Sequence, residues 1–141
     1  MPLPLSDPKT GRSATLNLNG YKKELGQTLS STGLTLWSAT ESMLKFILEE
    51  APDSLLSGSC VELGCGLAAA SMAVDWVQRE RNLRGTMTAT DGDSEVLTFA
   101  KDNIKVRIYI YILYIYYFAL GAAQRWWIDW QKILLILLIA S

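Results

Sequence analysis

The apolar positions of this chain change character three times along its length. From Leu36 to Glu50 they recur at helical spacing, with Leu36, Met43 and Ile47 on one face and Trp37, Leu44 and Leu48 on the adjoining one. This predicts an amphipathic helix. Ser38 and Glu41 fit a capping box at its start, and Pro52 marks its end. Ser59 to Leu63 is short, β-favouring and preceded by glycine, which predicts a buried strand. Gly64-Cys65-Gly66 follows at once. Leu67, Ala70, Val74 and Val77 then return to helical spacing, and the polar run Gln78 to Arg84 closes that helix. Thr86 to Thr90 predicts a second strand ending at Asp91. Asp93 or Ser94 can cap a third helix, in which Val96, Leu97, Ala100 and Ile104 share a face. The order is helix, strand, glycine turn, helix, strand, acid, helix. That is one βαβ unit with flanking helices, and it predicts an α/β fold.

The segments on either side follow other rules. Pro2, Pro4 and Pro8, with Ser6, Asp7 and Gly11, break any period near the start. Residues 1–32 therefore read as an irregular arm, with weak alternation over Tyr21 to Leu29 and a turn near Gly33. Residues 33–105 form the α/β region, and residues 106–141 a hydrophobic, aromatic tail. Residues 1–105 carry ten Lys/Arg and thirteen Asp/Glu, whereas the tail carries three basic residues and one acid. Nine of the fourteen aromatic residues lie in that tail, a shift that marks a boundary.

Charge and composition narrow the chemistry. A net charge of −1 gives no global field that would attract nucleic acid, so no nucleic-acid partner is expected. There is no histidine, which removes the commonest general base and metal ligand. Cys60 and Cys65 form no CxxC pair and no zinc site, so no metal is expected and both read as reduced thiols. No apolar segment behind a basic start marks the N-terminus as a secretory signal, and a cytoplasmic location, or a nuclear one, is expected.

The chemistry-bearing constellation lies around the glycine turn. A tight turn between strand and helix needs φ values that side chains resist, and glycine there lets backbone N–H groups approach a ligand closely. The helix N-terminus beyond it favours anionic groups. An acid ending the next strand can accept both hydroxyls of an adenosine ribose. Gly64, Cys65 and Gly66 supply the turn and Asp91, followed by Gly92, supplies the acid, 27 residues beyond Gly64. The dinucleotide fingerprint expects a separation of about 20 and a third glycine where this chain has Ala69. A nucleoside-containing cofactor is therefore expected and a dinucleotide is disfavoured, although the dinucleotide pattern tolerates alanine at that place.

Val61-Glu62-Leu63-Gly64-Cys65-Gly66 resembles the E/D-x-G-x-G loop of the seven-β-strand methyltransferases. Gly33-Leu34-Thr35-Leu36-Trp37-Ser38-Ala39 resembles the G-x-x-x-W-x-A/S segment of their family-16 members, which methylate lysines on other proteins. Thr90-Asp91-Gly92-Asp93 and the later Asn103-Ile104 match that family's pattern after the second strand. The resemblance spans about residues 33–104. It implies a Rossmann-like seven-strand methyltransferase fold, present here only to about its second strand, with S-adenosylmethionine as cofactor and a protein lysine as acceptor. It further implies that Glu62 orders the loop near the methionine amine and that Trp37 lies beside the cofactor. With Gly64, Cys65, Gly66, Asp91 and Gly92, these form the candidate cofactor site. Leu67-Ala68 departs from the family's continuation, which has glycine at the position of Ala68. The segment that helps hold the acceptor lysine has no counterpart, so no catalytic residue is named. An inactive cofactor-binding fragment is the alternative reading.

Ile108 to Gln124 has no charge over seventeen residues and is rich in β-branched and aromatic side chains. Three readings stand. It is a short membrane span, although tyrosine prefers the bilayer interface. Or it supplies core strands. Or it is translated non-coding sequence, since Lys105-Val106-Arg107 can be written AAG-GTA-AGA, a splice-donor-like junction, and an Ile/Tyr run is what AT repeats encode.

Overall fold

The structure, a computed structural model, describes residues 1–21 and 31–105 in full and the backbone of 110–114 and 136–138. Its architecture is mixed α/β. Strand β1 (Pro2–Asp7) and strand β2 (Arg12–Asn17) form an antiparallel hairpin with Leu3 opposite Leu16 and Asp7 opposite Arg12. A 3-10 turn (Thr32–Leu34) leads to helix α1 (Ser38–Lys45), which continues as a π-helical turn, Phe46–Glu50. A short helix α2 (Asp53–Leu56) precedes strand β3 (Gly58–Leu63). Helix α3 (Ala69–Glu80), strand β4 (Gly85–Asp91) and helix α4 (Ser94–Ile104) complete the central unit. Strands β5 (Ile110–Tyr114) and β6 (Ile136–Leu138) flank it, giving the order β5-β4-β3-β6.

The βαβ unit is present as its periodicity predicts. β3 and β4 run parallel, with Gly58 opposite Gly85 and Leu63 opposite Thr90. α3 connects them, and residues Ala69 through Gln78 are all buried. Such burial requires cover on every side. The core cluster supplies it: Leu5, Leu16 and Leu18 from the hairpin, Leu44, Ile47 and Leu48 from α1 and its π turn, and Cys60, Met87 and Ala89 from the sheet. Burying a side chain of this size contributes about 1.5–3 kcal/mol, so the hairpin is a substantial part of the core.

Three expectations need correction. The first is the irregular arm over residues 1–32, because Pro2–Asn17 is a hairpin. Met1 and Leu18 exchange both backbone hydrogen bonds, at 2.6 and 2.8 Å, which fixes the alternation. The nitrogens of Pro2 and Pro4 therefore point to the open edge of β1, where no N–H is needed and where proline blocks further pairing. Gly11, at φ 69°, completes the turn.

The second is the capping box. Ser38 is the first helical residue, and the residue before it, Trp37, makes no side-chain cap. The helix also widens at its end, where the Ala51 amide donates to the Phe46 carbonyl five residues back at 2.7 Å, and Pro52 begins the next turn.

The third is the sheet ending at about its second strand. Ile110–Tyr114 pairs in parallel with β4, and Ile136–Leu138 pairs antiparallel with β3. Both outer edges of the β3–β4 pair carry unmet backbone groups, and β-branched tail segments satisfy them. The rest of residues 106–141, including most of the 108–124 stretch considered as a span, lies outside the described residues, as do 22–30. Among the described residues no helix is long and apolar enough to cross a membrane.

Candidate functional site

β3 and β4 end side by side, and the loop that leaves β3 turns across the end of β4. Cys65 N donates to Thr90 O at 2.8 Å, and the Thr90 hydroxyl donates to Glu62 O at 2.7 Å. These bonds stitch the loop to both strands. Gly64 has φ 71°, Gly66 φ 52° and Ala68 φ 64°, so every second residue of the loop is left-handed. Glycine adopts this conformation freely, whereas alanine pays a penalty of about 1–2 kcal/mol. Ala68 thus holds a backbone conformation that suits glycine, and it occupies the place immediately before α3.

Two carboxylates anchor this region, Asp91 the loop itself and Glu62 the first turn of the helix it leads into. Asp91 Oδ2 accepts from Gly66 N at 3.0 Å, and its Oδ1 accepts from Asp93 N at 3.1 Å across Gly92. Gly92 is the exposed centre of that tight turn. Each Asp91 oxygen has one further lone pair for a hydroxyl donor. Glu62 alternates inward along β3 with Cys60 and is fully enclosed. It accepts from Ser71 N at 2.9 Å and from the Ser71 hydroxyl, satisfying one of the first amides of α3.

Burial pushes the Glu62 carboxyl up to about 7, Ser71 draws it back, and the Asp91 charge adds to the rise. Burial and the same two carboxylates hold the Cys65 thiol protonated. Cys65 and Cys60 are both buried and unpaired. Among the described residues neither Glu62 nor Asp91 has an ion-pair partner, and no cluster of three metal-binding side chains occurs.

The segment Ser31–Trp37 lies against the loop. A Cβ on Gly66 would come within 3.3 Å of Gly33 O, and one on Gly33 would strike Val96 at 2.7 Å. Close approach thus favours glycine at 33, and a tight contact together with the left-handed backbone favours it at 66. The Ser31 hydroxyl bonds the Asp93 carboxylate and, with the Glu95 and Val96 amides, holds it below the usual carboxylate range. Trp37 is 42% exposed, and its indole N–H donates to Thr32 O at 2.8 Å. It stands on the segment that touches the loop, four residues beyond Gly33.

The structure thus brings Glu62, Gly64, Cys65, Gly66, Asp91 and Gly92 to one place, with Trp37 on the adjoining segment. Sequence reading missed Ser71, Thr90 and the Gly33–Gly66 approach. A serine nine residues after Glu62, in the first turn of the helix, was the readable signal for the first of these. A groove of 440 Å³ lies elsewhere, between Leu3–Ser6 of β1 and Glu41–Glu49, and shares no residue with the loop. No protein-family model matches the chain, and no curated protein is detectably similar to it.

Proposed function

We propose that the Gly64–Asp91 region binds the nucleoside moiety of S-adenosylmethionine, and that the chain carries the cofactor-binding half of a Rossmann-like protein-lysine methyltransferase. The observation that carries this reading is the joined geometry of loop and acid. An aspartate at the end of one parallel strand grips, through Gly66 N, a left-handed loop leaving the end of its neighbour. Ligands bind open α/β sheets at the carboxyl ends of their strands.

The residues fit such a group in four respects. No described residue lies within 4 Å of a Cβ built on Gly64, so a ligand can approach its backbone. Asp91 keeps acceptor capacity for ribose hydroxyls. Glu62 and Asp91 bring two carboxylates together with no cation partner among the described residues, and the proposed cofactor carries both a sulfonium and an amine. Ala68 also keeps the left-handed backbone of the position where the resembled family has glycine.

The cofactor would supply an activated methyl group. The chain's own contribution is to bind it, orient it and exclude water. The acceptor is a lysine of another protein, no residue here is assigned as a base, and the cytoplasm or nucleus is the expected setting. The test is calorimetric titration of S-adenosylmethionine into the wild-type chain and Asp91→Ala. The variant should bind about 10- to 100-fold more weakly, since leaving hydrogen-bonded hydroxyls unpaired costs about 1–3 kcal/mol. Equal affinities would remove Asp91 from the site, and tighter binding of a nicotinamide dinucleotide would replace the cofactor.

A further inference from the structure

Asn103 is buried near the end of α4 and belongs to neither strand nor loop. Its amide nonetheless joins two separate pieces of backbone to α4. Nδ2 donates to Leu67 O at 3.0 Å and to Asn19 O at 3.1 Å, and Oδ1 accepts from Asn19 N at 2.6 Å. Leu67 is the residue directly after Gly66. A second contact ties the same pieces together: a Cβ on Gly20 would lie 2.5 Å from the Leu67 side chain, so the chain after the hairpin rests on Leu67 itself.

We propose that Asn103 is a positioning residue for the ligand-binding loop, gripping the Leu67 carbonyl while the Asn19–Gly20 backbone holds its amide in place. The proposal rests on the nucleoside-binding reading above and extends the site to residues that touch no ligand. The loop has three left-handed residues at positions 64, 66 and 68. Its shape therefore depends on anchors at both ends. Asp91 anchors the Gly66 amide, and Asn103 anchors the carbonyl one residue on. An Asn side chain suits this task because a single amide both donates and accepts: its two donated bonds have ordinary lengths, and the one it accepts from Asn19 N is short. Losing it leaves two carbonyls and an amide without partners at a buried junction. The hairpin thereby becomes a mechanical part of the binding site, 84 residues away in sequence from the side chain it secures.

The experiment uses the full chain in four forms: wild type, Asn103→Ala, Asn103→Ser and Val77→Ala. Val77 is buried on α3 well away from the loop and serves as a stability-matched control. Backbone hydrogen exchange is measured first, without ligand. Both Asn103 variants should speed exchange at Ala68 and Met72 by about tenfold or more relative to Val77→Ala, with the serine variant the milder. Affinity for S-adenosylhomocysteine is measured next, at a temperature where all four are folded. It should fall about tenfold in Asn103→Ala, less in Asn103→Ser, and less than twofold in Val77→Ala. Loop exchange and affinity that merely follow global stability across the four proteins would overturn the proposal. Selective loosening of the loop in a chain whose wild type does not bind the ligand would instead sustain the Asn103 anchor and refute the nucleoside reading.

Discussion

The two ends of α3 solve the same problem in opposite ways. At the C-terminal end, Arg81 is 3% exposed and sits on Asp7, which is fully buried, with contacts of 2.8 and 2.9 Å. Arg81 also reaches Asp53 at 2.9 Å and Leu48 O at 2.8 Å, and Lys9 bridges Asp53 and Ala51 O. Each of these four charges has a partner. At the N-terminal end, Glu62 and Asp91 share a neighbourhood in which, among the described residues, they have no cation partner and are held by backbone amides and a hydroxyl. Burial would raise both buried acids. Arg81, aided by Lys9 N and Thr10, overcomes that at Asp7 and holds it below its usual range. At Glu62 Ser71 does not overcome it, and the carboxyl stays at about 7. One end is balanced by cations, and the other, among the described residues, is not; on the proposed reading a cationic ligand completes it.

Breaking the balanced end has the largest expected effect. Arg81→Met strands Asp7 in the core and detaches the hairpin from α3. Removing one partner of a buried pair costs about 3–5 kcal/mol. Urea denaturation should show this loss, and a loss under about 1 kcal/mol would mean that the hairpin is held by its leucines alone.

The two ends should also respond to pH with opposite signs. The folded Glu62 pKa lies above its ordinary 4.5, so between about 4.5 and 7 the native state binds more protons than the unfolded one. Stability from this group is full below that window and is lost as pH rises through about 7, by roughly 3 kcal/mol across the window. Asp7 has a lowered pKa, so its contribution is present above its ordinary 3.8 and disappears as pH falls through the folded value. Glu62→Gln should flatten the neutral slope and leave the acid slope intact. Equal slopes in variant and wild type would place the neutral titration elsewhere.

The smallest effect sharpens the contrast without disturbing the site. Asn82, at φ 54°, ends α3 beside Arg81 and is exposed. Asn82→Gly should stabilise the chain by about 0.5 kcal/mol, since glycine meets the left-handed conformation with less strain. Ligand affinity should not change. A stabilised variant with altered affinity would show that the two ends of α3 are coupled.

Much of the central unit was legible because its signals are local. The Ser59–Leu63 strand, the glycine pair, the α3 stripe and the Asp93 cap each lie within a few residues, and Asp93 does cap α4 through the Glu95 and Val96 amides. What escaped depends on distant partners. The prolines of β1 read as breakers because their tolerance at an open edge requires knowing which edge is open. Asp7 read as a turn residue because Arg81 lies 74 positions away. Ser38 looked like a cap from spacing alone, yet the chain enters the helix one residue earlier than that role requires. The site residues were legible as types, while the bonds that orient them, from Ser71, Thr90 and Asn103, were not.

The central claim is that the uncompensated end of α3 is where ligand binds. Hydrogen exchange of the full chain with and without saturating S-adenosylhomocysteine tests this most directly. Protection is expected over Gly64–Met72 and Asp91–Val96, with no change at the Arg81 end or along Leu3–Ser6. Protection confined to the groove between β1 and α1, or none in a folded chain at millimolar ligand, would contradict it.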